Sequence, residues 1–314
     1  MWGPDLPGVQ TAVGEIVRAI SDFEPVTLLA RPTAKGRARS LVGGDATLLE
    51  APVDDLWARA TLPCFLTSRS HPGELRAGLL RFNGWGGKQL HGGDAQLNRL
   101  IAAHVGASVV SAGLTGEGGA LEVSGAGTLL AARSSWVNRN RNPQLDEHQI
   151  GARLKALVGA ERIIWVDGVA GQDITDSHID TLARFIDPTT ILVEDPGTTD
   201  VWERVATKAR RQIAQHAPTG ADAFSFVTLK QPTRLPSSSP DFLPSYVNYH
   251  VCNGAVIMPK FGDRAADERA KSQIADAYPG RPIVQLGIDA VTAGGGGIHC
   301  ATQEQPRVEA HPAR

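Results

Sequence analysis

An α/β fold is what this sequence predicts, and three features predict it. Short aliphatic and β-branched runs alternate along the chain with longer segments whose apolar residues recur at helical spacing. The length, 314 residues, exceeds the usual single-domain size but suits the larger α/β folds. A hydrophobic fraction of 42% is ample for a core. An open dinucleotide-binding sheet is the default for such a pattern. Its glycine fingerprint is missing, however, and so is a Walker A sequence; Thr115-Gly-Glu-Gly-Gly119 does not have either spacing.

The elements follow in order. After Met1-Trp-Gly-Pro-Asp-Leu-Pro7, the spacing of Val13, Ile16, Val17 and Ile20 predicts a helix over 10–23. A strand at 26–30, a helix at 37–42 and a strand at 47–51 come next. Residues 97–105 read as helix and 108–112 as extended chain. Segments 121–123 and 128–131 read as a hairpin around Ser-Gly-Ala-Gly. A helix at 147–158 precedes a strand at 162–166. Further strands are expected at 190–194, 223–229, 255–259 and 282–286, with helices at 201–216 and 264–278 between them. The proline- and serine-rich 236–240 reads as a surface loop, and 307–314 as a disordered tail.

Composition narrows the function. A net charge of −2 gives no reason to expect a nucleic acid or an anionic membrane as partner. No apolar run approaches the ~20 residues that span a bilayer, and no signal peptide is visible. Three cysteines, an odd count in a long chain, argue against a disulfide framework and for a reducing, cytoplasmic setting.

Four stretches could carry chemistry. Gly294-Gly-Gly-Gly-Ile-His-Cys300 is the first. Four glycines bring no side chain to a packed element, so the backbone there comes close to something or turns sharply. Cys300 is then either a nucleophile activated by a cationic neighbour or a small buried apolar residue. In Asp173-Ile-Thr-Asp-Ser-His-Ile-Asp180, His178 and Asp180 share one side of an extended segment. Thr175 and Asp176 supply turn chemistry before them. A solvated acidic loop and a metal site are the alternatives, although no further ligand pair supports a metal. Glu117, between glycines, is a surface turn residue or a carboxylate in a narrow channel. In Phe82-Asn-Gly-Trp-Gly-Gly87, Trp85 is a core residue or a channel wall suited to a cation.

Together these stretches resemble the agmatine deiminase family, a branch of the guanidine-modifying enzymes that includes the bacterial peptidylarginine deiminases. The family ends on Gly-Gly-Gly-Asn-Ile-His-Cys, with Gly297 here in place of the Asn. It carries Gly-His-Val/Ile-Asp, with Ser177 here in the Gly position, and also Glu-Gly-Gly and Phe-Asn-Ala/Gly-Trp-Gly-Gly. Asn138-Arg-Asn-Arg-Asn142-Pro143 matches a further family region to which no role is assigned. The likeness extends over nearly the whole chain. It implies a pentein fold: about five ββαβ units in a pseudo-fivefold α/β propeller, with the active site in the central channel. Residues 1–306 would form one catalytic domain. No cofactor and no metal are implied. The partner would be a small guanidino substrate, with homo-oligomerisation an open possibility. By resemblance Cys300 is the nucleophile, His178 the general acid/base, Glu117 its orienting carboxylate, and Asp180 a carboxylate that grips the guanidinium. Trp57, Trp85 and Asp176 are expected at the substrate. His299 adjoins Cys300, but neighbours on a strand point to opposite faces, so the histidine serving the thiol is expected from elsewhere. His250 is the next candidate after His178 and reads as structural.

One departure stands out. The family has Trp-x-Arg-Asp-x-Gly-Pro, whose Asp is the second guanidinium-gripping carboxylate. Here 54–63 aligns with Trp57, Arg59 and Pro63 in place, but the Asp position is Ala60. That is either a natural variant or a substitution made to trap bound substrate. Asp54 or Asp55 could stand in only through a backbone shift. The implied reaction is hydrolytic deimination through a covalent cysteine thiouronium, impaired by Ala60. The alternatives are an amidinotransferase on the same scaffold and a catalytically silent guanidine-binding protein. The N-terminus is short for the family, so the first repeat is either abbreviated or trimmed.

Overall fold

A proline in the first turn and apolar residues at helical spacing fix the first long helix, α1 (Leu6–Ser21). It buries Val9, Ala12, Ile16, Val17 and Ile20. The structure is a computed structural model describing residues 2–68, 70–197, 201–217, 223–237 and 239–308. Helix α1 starts earlier than the apolar spacing suggested, because Pro7 already has a helix-compatible φ.

Among the described residues five small sheets follow in chain order. In the first, β1 (Thr27–Ala30) leads through helix α2 (Lys35–Val42) to β2 (Thr47–Glu50), parallel to it in the register Thr27↔Thr47. The second begins with an antiparallel pair, β3 (Cys64–Thr67) and β4 (Leu75–Arg81). Helix α3 (Asp94–His104) then crosses over to β5 (Ser108–Thr115), parallel to β4. The third repeats this order. Strands β6 (Leu121–Val123) and β7 (Thr128–Ala132) form the expected hairpin, and α4 (Glu147–Val158) leads to β8 (Arg162–Val166). The fourth has β9 (Ala183–Phe185), β10 (Thr190–Asp195), α5 (Val201–Gln215) and β11 (Ser225–Lys230). The fifth has β12 (His250–Cys252), β13 (Ala255–Lys260), α6 (Arg264–Ala277) and β14 (Ile283–Gly287). Four sheets are thus one ββαβ unit each, and the first has only two strands. The order has a simple cause: a hairpin joins antiparallel strands, whereas a parallel neighbour needs a crossover, here a helix.

Local chemistry sets the boundaries. Asp146 and Gln149 form a reciprocal capping box at the start of α4, and Gly159 ends it in the left-handed region. Strand β7 lies between β6 and β8 and is buried at every residue, so its sequence is continuously apolar after Thr128. Four strands escape a reading of periodicity: β3, β4, β9 and β12. Strands β9 and β12 have three residues each, too few for alternation to show. Strand β4 is buried on both faces over much of its length and mixes Arg76 and Gly78 into its run.

The largest apolar cluster joins α1 to Trp57, Ala60, Phe82, Trp85, Ile257, Val291 and Ile298. It is the floor on which the site below is built. No described helix is long and apolar enough to cross a membrane. Ser237 and Ser239 flank Ser238, which lies outside the described residues, as do 309–314 of the expected tail.

Candidate active site

A cavity of about 820 Å³ opens above that cluster. Cys300, His178, Asp180, Trp57, Ala60 and Trp85 all lie on its wall. Sequence segments more than 200 residues apart therefore meet at one place.

Cys300 sits in a turn rather than on a strand, with Ala301 N–H donating to Gly297 O at 3.2 Å. Asn248 clamps that turn. Its Oδ1 accepts from the Cys300 N–H at 3.2 Å, and its Nδ2 donates to Cys300 Sγ at 3.2 Å. A Cβ on Gly297 would lie 2.5 Å from Asn248 Oδ1, and one on Gly296 would lie 2.2 Å from the Trp57 ring. The glycines are there because side chains from two other segments fill the space.

His178 follows two non-glycine residues in the left-handed region, Asp176 (φ 61°) and Ser177 (φ 73°). Such conformations are costly without glycine and cluster at functional sites. A net of short bonds holds them: Asp173 Oδ1 accepts from Ser177 N and Thr175 Oγ1, and Thr175 Oγ1 accepts from His178 N. His178 Nε2 then lies 3.3 Å from Glu117 Oε2. Glu117 is fully buried, and both its oxygens accept from Arg141 Nε at 3.0 Å. Burial would raise the Glu117 carboxyl, but His178 and Arg141 outweigh it and hold the group below its ordinary value.

Asp180 is also fully buried. Its Oδ2 accepts from His299 Nδ1 at 2.8 Å and lies 3.6 Å from Cys300 Sγ, whereas its Oδ1 has no partner. A Cβ on Gly119 would lie 2.8 Å from His178 Nδ1 and 2.9 Å from Asp180 Oδ2, so a glycine there is what lets both side chains stand against its backbone.

Several expectations need correction. Asp176 does not line the cavity. Its carboxylate faces Arg141 Nη1 (2.7 Å), Lys88 Nζ (2.8 Å), Asn140 Nδ2 and the Gly171 N–H. Burial raises its carboxyl, but Lys88, Arg141 and the other donors bring it down to about 2. Asp176 is thus a strut under the His178 loop. The strand geometry assumed for His299 and Cys300 does not hold: both lie in a turn, and His299 Nδ1 and Cys300 Sγ both face Asp180 Oδ2, at 2.8 and 3.6 Å. The thiol is not lowered by a cation either: burial and the Asp180 charge push it well above its ordinary value, against Asn248 and the turn backbone. His250 lies in a separate cluster, 3.3 Å from both Glu24 and Glu304. Asp54 caps the start of α3 through the Gly93 and Asp94 N–H groups, and Asp55 reaches the cavity wall. Asn248 was not singled out from the sequence, and Arg141 lies in the 138–143 stretch that was matched to the family without a role. A lone asparagine carries no pattern, and Arg141 sits in a loop whose partners are distant in the chain.

Residues 1–306 match the family described as Porphyromonas-type peptidyl-arginine deiminase. An agmatine deiminase of Medicago truncatula is 30% identical, over 98% of this chain and 91% of that one. Among solved structures, an agmatine deiminase of Enterococcus faecalis superposes with a TM-score of 0.85 at 25% identity, covering 94% of this chain and 87% of that one. A C. jejuni agmatine deiminase with substrate bound gives 0.87 at 25% identity, covering 98% and 90%.

Proposed function

The chain belongs to the Porphyromonas-type peptidyl-arginine deiminase family, and from that premise we propose that it deiminates a small guanidino compound, agmatine-like or arginine-derived, to a ureido product and ammonia. One observation carries the reading: the unpartnered Asp180 Oδ1, buried beside Cys300 and His178 on a cavity wall. A buried acceptor without a donor is expensive, and a cationic N–H donor from a substrate would satisfy it.

In this reading Asp180 grips the guanidinium and fixes its plane for attack. The bound cation also changes the thiol. In the free site burial and the Asp180 charge together favour the neutral Cys300 thiol; a guanidinium against Asp180 offsets that charge and favours the thiolate. The Cys300 proton passes to His178, Sγ bonds to the guanidinium carbon, and His178 returns the proton to the departing ammonia. A thiouronium on Cys300 remains. Water, giving its proton to His178, adds to the carbon and expels the sulfur. Glu117 orients the His178 ring, and Arg141 and Asp176 brace Glu117 and the His178 loop. Ala60 brings no second carboxylate, which slows attack on an unsubstituted guanidinium. The repeated ββαβ unit supports a further reading, that 1–306 is one catalytic domain whose five sheets stand as blades around the cavity.

Product analysis tests the function. A panel of agmatine, arginine and peptidyl arginine, with and without an added primary amine, should yield ammonia and a ureido product in equal amounts. Transfer of the amidino group to the added amine would point to an amidinotransferase. Binding without any product would point to a silent binding protein.

A further inference from the structure

We infer that the preferred substrate is a guanidine alkylated on one of its terminal nitrogens. This rests on the deiminase reading above and narrows it to a substrate class.

A guanidinium with a single substituent presents five N–H donors around its plane. Four carboxylates line the cavity, Asp5, Asp55, Asp180 and Asp289, and of these it is Asp180 that lies against Cys300. Four buried side-chain polar atoms lack a partner among the described residues, and of these only Asp180 Oδ1 belongs to a residue lining the cavity. Asp55 lines it too, but its Oδ1 already accepts from Trp2 Nε1 and Leu56 N, and its Oδ2 from Gln89 Nε2. Arg59 is a cation held by Glu304 and accepts nothing.

One stretch of the wall near the thiol is apolar. The Arg59 N–H donates to the Cys300 carbonyl at 3.0 Å, which brings the next residue, Ala60, close to the nucleophile. Ala60, Trp57 and Trp85 share one buried cluster, with Ile174 and Cys300 packed against it. Ala60 and Ile174 carry no polar side-chain atom, and an indole can only donate. A guanidinium whose two terminal nitrogens carry no alkyl group would turn unpaired donors towards this wall and lose their hydration without replacement. An alkyl group on that nitrogen removes a donor and buries carbon instead. The expected preference for the alkylated compound is roughly 10- to 100-fold in kcat/KM.

The chemistry balances. Sγ bonds to the guanidinium carbon, the bond from that carbon to the alkylated nitrogen breaks, and His178 gives the leaving amine its proton. Water then forms the C–O bond as the C–S bond breaks, and its proton returns through His178 to the thiolate. The guanidinium and one water become a neutral urea and one alkylammonium ion.

The test uses the full chain with agmatine and its N-methyl and N,N-dimethyl guanidino derivatives, reading released amine and the shared ureido product. The chain with Ala60 should favour the methylated compounds. Ala60→Asp should reverse the order by supplying a second carboxylate, and Ala60→Ser, a smaller change to the fold, should narrow it. Equal or faster turnover of agmatine by the chain with Ala60 overturns the inference and leaves the deiminase reading standing. A preference for the methylated compounds that neither variant alters also overturns it, because Ala60 would then not be its source. Absence of turnover of any compound by all three chains overturns both.

Discussion

Asp180→Asn separates two roles of one carboxylate. The change keeps the shape and leaves an oxygen that can accept from His299, but it removes a negative charge 3.6 Å from Cys300 Sγ. At an effective dielectric of 20, a unit charge at that distance is worth about 4–5 kcal/mol. Water entering the emptied field reduces this, so the thiolate fraction at a given pH should rise by roughly 10²- to 10³-fold. The carboxylate raises the thiol, so its loss lowers it. Labelling by a neutral reagent such as iodoacetamide should therefore become faster in the variant, while deimination falls by at least about 10³-fold because the guanidinium has lost its grip. Rates of Cys300 labelling at pH 7–9, read by peptide mass, alongside ammonia release, give both quantities. If labelling is unchanged or slower in Asp180→Asn, the carboxylate is not what holds the thiol neutral.

Two further outcomes follow from the same geometry. Asn248→Ala removes the donor to Sγ and the acceptor for the Cys300 N–H, and should lower kcat by roughly 10- to 100-fold with KM little changed; a matching rise in KM with kcat intact would assign Asn248 to binding instead. Burial, Arg184 and Arg59 push His299 from 6.5 down to about 3, against Asp180. Its folded value thus lies below its unfolded one, so its contribution to stability is complete above pH 6.5 and is lost as pH falls towards 3, by about 2 kcal/mol between pH 6.5 and 5. Denaturant titrations should show that slope in the natural chain and a flatter one in His299→Asn; equal slopes would mean that His299 is not the group responsible.

The α/β class was legible because its helices are long enough for periodicity to show, as in α4 and α6. The repeated unit was not, because its leading strands are as short as Ala183–Phe185 and His250–Cys252. At the site, glycine neighbours and spacing drew attention to Cys300, His178, Glu117 and Asp180, and the family resemblance gave them their expected roles. What the sequence hid was the layer behind them. Arg141 braces Glu117 from 24 positions away, and Asn248 reaches Cys300 from 52 positions away. Asp176 lay inside a readable motif, but only its left-handed backbone and its cationic neighbours reveal that it faces away from the cavity. The activation of the thiol was misread for a related reason: a sequence shows which residues are near in the chain, not which charge lies nearest to a sulfur in the fold.

The central claim is that Cys300 carries the substrate carbon as a thiouronium. Turnover of a guanidino substrate should be stopped by acid within milliseconds to seconds and the digested protein weighed. The account predicts a peptide containing Cys300 that is heavier by the amidino-bearing fragment, absent from Cys300→Ser and absent without substrate. Product formation by the natural chain with no adduct at any quench time, or turnover retained in Cys300→Ser, would contradict it.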